Sequence, residues 1–171
     1  MGKITLAEAV KLKSILTKRI HELEEEIHRV AFTNVEKGEK VEPGPRTVAQ
    51  VELELDDVRS DARLLDKLMY RANIDNTITY KNEELSIVEA IELATQLRAK
   101  ARLYKEFGAA NKEEIQYGYA ENTTVYRVAL FEPEAYRIQA LQLEKDAHKL
   151  SNLINAKNYS ITLDFNDEKY F

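Results

Sequence analysis

The residues that could do chemistry in this chain are few. Glu25-Glu26-Ile27-His28 is a Glu-x-x-His motif, the spacing by which helix bundles hold di-iron centres, and His21 lies seven residues before His28. Two features direct this set away from a buried centre. The apolar pattern passes through Ile27 and Val30, which turns Glu25 and His28 toward solvent, and the matching later helix has Glu106 but Ala109. His21, Glu25 and His28 are therefore at most a weak surface site for zinc or nickel, and no resident metal or other cofactor is expected. Paired carboxylates come next. Glu8 and Glu89 close the boxes Thr5-Leu6-Ala7-Glu8 and Ser86-Ile87-Val88-Glu89, in which the hydroxyl and the carboxylate satisfy free amides at a helix start. Capping accounts for both without catalysis. Asp61 and Asp146 also match in position, but nothing else converges on them for acid–base work. The expectation is a pair of ion bridges, Arg19–Asp61 and Lys100–Asp146.

Absences narrow the chemistry further. With no cysteine there is no disulfide, thiolate metal site or cysteine nucleophile, and five scattered glycines build no phosphate loop. No catalytic residue emerges, so a non-enzymatic protein is expected. The tyrosines carry a different signal: seven of nine lie beyond residue 100, and Tyr117, Tyr119 and Tyr126 fall together. Tyrosine buries area while keeping a polar tip, so this cluster reads either as a packed-down hairpin or as a surface for self-association. Arg98, Lys100, Arg102 and Lys105 gather late in one helix, where cations favour the helix C-terminus. Asn122-Thr123-Thr124 fits a glycosylation acceptor, but MGKITLAEAV has no long apolar stretch of a secretory leader, so chance explains the match.

The elements that must position these residues are helices. Leu6, Ala9, Leu16, Ile20, Leu23, Ile27 and Val30 alternate by threes and fours, with Lys13 in the polar slot and Leu12 and Ile15 flanking. Val51, Leu55, Val58, Ala62, Leu65, Met69 and Ala72 form a second such seam. Ile87, Ala90, Ala94, Leu97, Ala101 and Tyr104 form the third. The fourth is Tyr136, Ala140, Leu143, Ala147, Leu150 and Ile154, opened by Pro133 in the first turn. Such spacing favours near-antiparallel, coiled-coil-like packing.

The four segments repeat. At an offset of 81, Thr5, Glu8, Ala9, Leu12 and Leu16 fall on Ser86, Glu89, Ala90, Leu93 and Leu97. At an offset of 85, Asp61, Leu65, Asn73 and Thr77 fall on Asp146, Leu150, Asn158 and Thr162. Matches off the seam do not follow from amphipathic character alone, so the chain reads as a duplication of helix, hairpin, helix and strand. Asn73 and Asn158 are placed to end their helices. Lys37-Gly38-Glu39 and Pro43-Gly44-Pro45 mark turns after the first helix, and Ile115–Tyr119 and Thr124–Phe131 read as a β-hairpin turning at Ala120–Asn122. Thr77–Tyr80 and Ile161–Phe165 read as strands that pair with each other or with the hairpins.

The stretches LAEAVKLKSILTKRIHELEEE and SIVEAIELATQLRAKARL, the two Asp-Ala-x-x-Leu-x-x-Leu runs from Asp61 and Asp146, and the closing ITLDF resemble a family of small bacterial helical proteins. Its members often carry the name septicolysin, a pore-forming toxin name. The resemblance spans nearly the whole chain and implies a mostly helical fold with β excursions; it offers no catalytic residues. The name itself fits poorly, since no segment is long and apolar enough to enter lipid and a thiol-activated cytolysin would need a cysteine.

Size and composition bound the rest. With 171 residues, 44% hydrophobic and 32% charged, the chain can bury a core as one domain. Its charge of −5, with both signs interspersed, disfavours nucleic acid as partner. The expectation is a single domain over 1–171, made of similar units 4–84 and 85–171. Its fold class is mainly α, a pseudo-twofold four-helix bundle of two helical hairpins with β-hairpin and strand excursions. Its expected role is structural or interaction-mediating, as a cytoplasmic homo-oligomer with no membrane partner expected.

Overall fold

The computed structural model describes residues 2–118 and 123–171. The protein is mainly helical, with small antiparallel strand pairs. In chain order the elements are β1 (Lys3–Thr5), α1 (Leu6–Ala31), α2 (Val48–Asp75), β2 (Thr77–Tyr80), β3 (Glu83–Ser86), α3 (Ile87–Gly108), β4 (Glu113–Gln116), β5 (Val125–Val128), α4 (Pro133–Ser160) and β6 (Thr162–Asp164).

Each helix forms where the apolar period is intact, and the buried residues follow the seams. Leu6, Ala9, Leu16 and Leu23 are buried on α1, and Val51, Leu55, Val58, Leu65 and Ala72 on α2. Leu12, placed beside the seam by its spacing, is fully buried within it. On α3 the core is Ile87, Ala90, Ala94 and Ala101; on α4 it is Ala140, Ala147, Leu150 and Ile154.

The helix starts behave as the boxes require. Thr5 and Ser86 each accept from the third amide while Glu8 and Glu89 accept from the cap's own N–H. A third box, Thr47 with Gln50, opens α2. The helix ends differ from expectation. Asn73 and Asn158 lie inside their last turns, and α2 stops at Asn76, whose amide and side-chain Nδ2 both donate to the Ala72 carbonyl. The cap is extended backbone (φ −108°, ψ 142°), because the chain must leave directly as β2 rather than turn through a left-handed residue.

The chain divides into two compact units, one running up to Asn76 and joined by Lys157–Phe171, the other spanning Thr77–Ala156. This division departs from 4–84 and 85–171 because each unit takes strands from both halves of the sequence. In the first, β1 pairs antiparallel with β6, Thr5 facing Thr162 and Ile4 facing Leu163. In the second, β2 pairs antiparallel with β3, Ser86 facing Thr77 and Leu85 facing Ile78. Under the sequence offsets these are the same pairs. Two strands, β1 and β3, are too short and polar for their composition to announce them. The β2–β3 turn is tight, with Lys81 and Asn82 at positive φ (48° and 67°), the geometry that keeps a hairpin's twist.

The two connections between helices differ. Residues 32–47 form no strand, contrary to the expected hairpin; a turn at Lys37–Gly38 holds a single Glu39-to-Glu36 backbone bond. Arg46 fastens the far end, reaching Glu26 of α1 at 3.0 Å and Glu54 of α2 at 2.5 Å, and Arg19 also bonds Glu54. Arg19 first, then Arg46, holds the Glu54 carboxyl below the usual carboxylate range. The connection after α3 is the expected hairpin, though shorter than predicted, and its turn at Ala120–Asn122 lies outside the described residues with Tyr119.

Candidate functional site

The β4–β5 arm is built on a fixed root. Tyr104 and Phe107 of α3 meet Phe131 and Tyr136 at ring separations of 4.8–5.4 Å, mostly edge to face. Gly108 ends α3 against α4: a Cβ there would lie 2.7 Å from the Arg137 Cα, so only glycine permits the approach. Lys112 Nζ donates to the Phe131 carbonyl (2.9 Å) and to Glu132 (2.6 Å), and the Ala129 amide donates to the Lys112 carbonyl at 2.9 Å. Both strands therefore leave the helices at set positions.

From this root the ladder runs Glu113↔Val128, Glu114↔Arg127, Ile115↔Tyr126 and Gln116↔Val125. Period-two alternation sorts the side chains onto two faces. Glu114, Gln116, Val125 and Arg127 share one, which borders an open groove of about 450 Å³ running down to Phe131. Glu113, Ile115, Tyr126 and Val128 share the other, and all four are exposed. Tyr117, just past β4, is 88% exposed and Leu130, just past β5, is 97% exposed. Among the described residues no third strand lies on either edge of this ribbon. Apart from Glu113 at its base, the face is apolar, cross-strand paired and uncovered. It offers contact area and free backbone edges, and it carries no group suited to covalent chemistry.

Of the expected interaction residues, the structure places Tyr117 and Tyr126 on this arm, while Tyr119 is outside the described residues. Ile115, Val128 and Leu130 complete the apolar set; the alternation of the second strand was the sequence signal for Val128 and Leu130. The other candidates do not join it. His21 and His28 are exposed on α1, with His21 Nδ1 3.4 Å from Glu24, and no group of three metal-ligating side chains forms among the described residues. Glu8 and Glu89 are committed to their boxes. The Thr5 amide and hydroxyl, and the Ser86 hydroxyl and amide, hold these carboxyls below their ordinary values.

The ion pairs expected at the two aspartates are replaced by others. Asp61 accepts from Lys169 (3.2 Å) and from the Tyr170 hydroxyl (2.6 Å), both in the segment after β6. Asp146, the one buried charged side chain among the described residues, accepts from Lys81 (2.6 Å) in the β2–β3 turn and from Gln142 (3.0 Å). Arg19 is drawn to Glu54 and Glu22, and Lys100 sits over the Tyr104 ring at 5.4 Å. Sequence spacing along a helix cannot show that a turn or tail reaches the aspartate first. Lys81, then Gln142, keeps the Asp146 carboxyl below its usual range despite burial. Tyr170 is pushed well above the ordinary phenol value, by burial first and by Asp61 second.

No helix is long and apolar enough to cross a membrane among the described residues. No protein-family model and no curated protein matches the chain. Among solved structures it is similar to a functionally unknown conserved protein from Corynebacterium diphtheriae. That likeness has a TM-score of 0.66 at 19% identity and covers 95% of this chain and 100% of the other. At that identity the likeness speaks for the fold alone.

Proposed function

We propose that this is a non-enzymatic, cytoplasmic protein that acts structurally or as an interaction module through self-association, with the β4–β5 arm as a contact surface. The observation that carries the reading is the uncovered apolar face of Ile115, Tyr117, Tyr126, Val128 and Leu130 on an anchored ribbon. The non-enzymatic part is supported by the commitment of Glu8, Glu89, Asp61 and Asp146 to caps and ion pairs.

The same reading includes a duplicated chain with pseudo-twofold character, its four helices forming a bundle. The identical registers of β1–β6 and β2–β3 under the sequence offsets, and the paired boxes at Thr5 and Ser86, favour it. Native mass spectrometry tests self-association directly. Multiples of 19.7 kDa are expected, shifting toward the single chain in Tyr117→Ser/Tyr126→Ser. A mass of 19.7 kDa at every concentration overturns the proposal.

The second reading is a membrane-active, septicolysin-like protein, which the family resemblance implies and for which the exposed apolar arm is the one favouring feature. Dye-loaded liposomes separate the two: leakage at micromolar protein favours the second, and intact vesicles favour the first.

A further inference from the structure

A second feature lies away from the arm, between the facing surfaces of α3 and α4. A groove of about 330 Å³ opens there, floored by Ala101 and Ala147, which are 3% and 2% exposed. Arg98, Arg102 and Lys105 stand along its α3 wall, at spacings of four and three that bring them to one helix face. His148 faces them from α4. The groove holds a single carboxylate, Glu144, and Lys105 reaches it at 3.6 Å. Arg98 is steadied by Ser151 of α4. Arg102 has no acidic partner among the described residues. In a chain of net charge −5, three cations and an imidazole around one small opening are a local reversal of sign.

The matching place on α1 and α2 shows that neither the shape nor the charge follows from the helix pair itself. The offsets put Ile20 where Ala101 stands, a large side chain in place of a small one. Thr17, His21 and Glu24 take the positions of Arg98, Arg102 and Lys105. The ion pair is kept with its polarity turned over: Glu24 binds Arg59 at 2.8 Å where Lys105 binds Glu144. Only α3 and α4 combine a small-residue floor with a cationic wall.

We propose that this groove binds a small molecule bearing a chain of two or three phosphoryl groups. From Arg98 to Lys105 the wall runs about 10 Å along the helix, longer than one phosphate and matched to a linear di- or triphosphate. Arg102 at the centre supplies a planar, paired donor set for a phosphoryl group, and Arg98 and Lys105 hold the ends. The Ala101 and Ala147 floor lets the anion sit between the cations instead of above them. This site is independent of the arm and of self-association.

Isothermal titration of the whole chain with tripolyphosphate, at low and at moderate salt, tests it. The expected result is one site per chain, with inorganic phosphate at least about tenfold weaker and Arg102→Gln weakened about tenfold or more. Lys18→Gln removes the same charge from α1 and should change affinity less than about twofold, with circular dichroism confirming that both variants keep their helices. Arg102→Glu should abolish binding. Equal losses in Arg102→Gln and Lys18→Gln would show diffuse charge and overturn the proposal. So would the absence of binding at millimolar tripolyphosphate, or tighter binding of a single-stranded oligonucleotide than of tripolyphosphate.

Discussion

The connections α1–α2 and α3–α4 join helices of one kind by opposite means. Residues 32–47 leave Phe32, Val35 and Val41 exposed on irregular backbone and are fastened at one end by the charges of Arg46, Glu26 and Glu54. The described residues of 109–132 rise from an aromatic root, and beyond it Ile115, Tyr126 and Val128 share one face of a ladder. An exposed apolar residue on irregular chain has no fixed neighbour. On a ribbon it has a cross-strand partner and a constant direction, which is what a contact surface needs. The same kind of contrast recurs at the helices, where the Lys105–Glu144 pair of α3 and α4 is matched by Glu24–Arg59 with its polarity reversed.

The largest effects test how far the seams are equivalent. Leu65 and Leu150 match under the offset and are both fully buried. Leu65→Ala and Leu150→Ala should each lower unfolding stability by about 2–5 kcal/mol, by lost transfer and by the cavity left. Urea denaturation measures both. Losses differing by more than about 1.5 kcal/mol would break the equivalence of the two cores.

The seams were legible because burial repeats every three to four residues and so leaves a periodic trace. Leu65 and Leu150 could be assigned from spacing alone, as could the boxes at Thr5 and Ser86, whose partners lie three residues away. Legibility faded where partners are distant in sequence. Lys81 bonds Asp146 across 65 residues and Tyr170 bonds Asp61 across 109, and no local pattern records either. Strands β1 and β3 are polar as well as short, reading Lys-Ile-Thr and Glu-Glu-Leu-Ser, so neither composition nor alternation marks them. The arm was legible in composition, but whether its face was covered depends on what packs there, which spacing does not encode.

Next in size is the contrast at the connections. Gly108→Ala should cost about 1–3 kcal/mol, because the new Cβ meets the backbone of Arg137 rather than a flexible side chain. Near-ultraviolet circular dichroism should weaken as the Tyr104–Tyr136 root is displaced. Gly44→Ala in the other connection meets only the Arg46 carbonyl at 3.8 Å and should stay within about 0.5 kcal/mol. Equal effects would mean that the arm is no more firmly rooted than the irregular connection. Smaller still are the caps: Thr5→Ala, Thr47→Ala and Ser86→Ala should each cost about 1 kcal/mol in thermal unfolding. A distinctly larger loss at one of them would mark that helix start as holding more than its own amides.

The finest contrast is between the two aspartates, which should reveal themselves at opposite ends of the pH scale. Lys81 holds the folded Asp146 carboxyl below its unfolded value of about 3.9, so its contribution is present above that pH and fades as pH falls through the lower, folded value. Wild type should therefore melt higher than Asp146→Asn at pH 7, and the gap should close on acidification below about pH 4. Tyr170 works in the other direction. Its folded value is raised, so the contribution is present below the unfolded phenol value of about 10 and is lost as pH climbs beyond it. Absorbance titration should show a tyrosine step displaced upward from the ordinary phenol range, and Tyr170→Phe should remove that step. If Tyr170→Phe leaves the alkaline titration unchanged, the segment after β6 does not hold Asp61 as the β2–β3 turn holds Asp146. The two lysine–aspartate contacts would then be alike in position only.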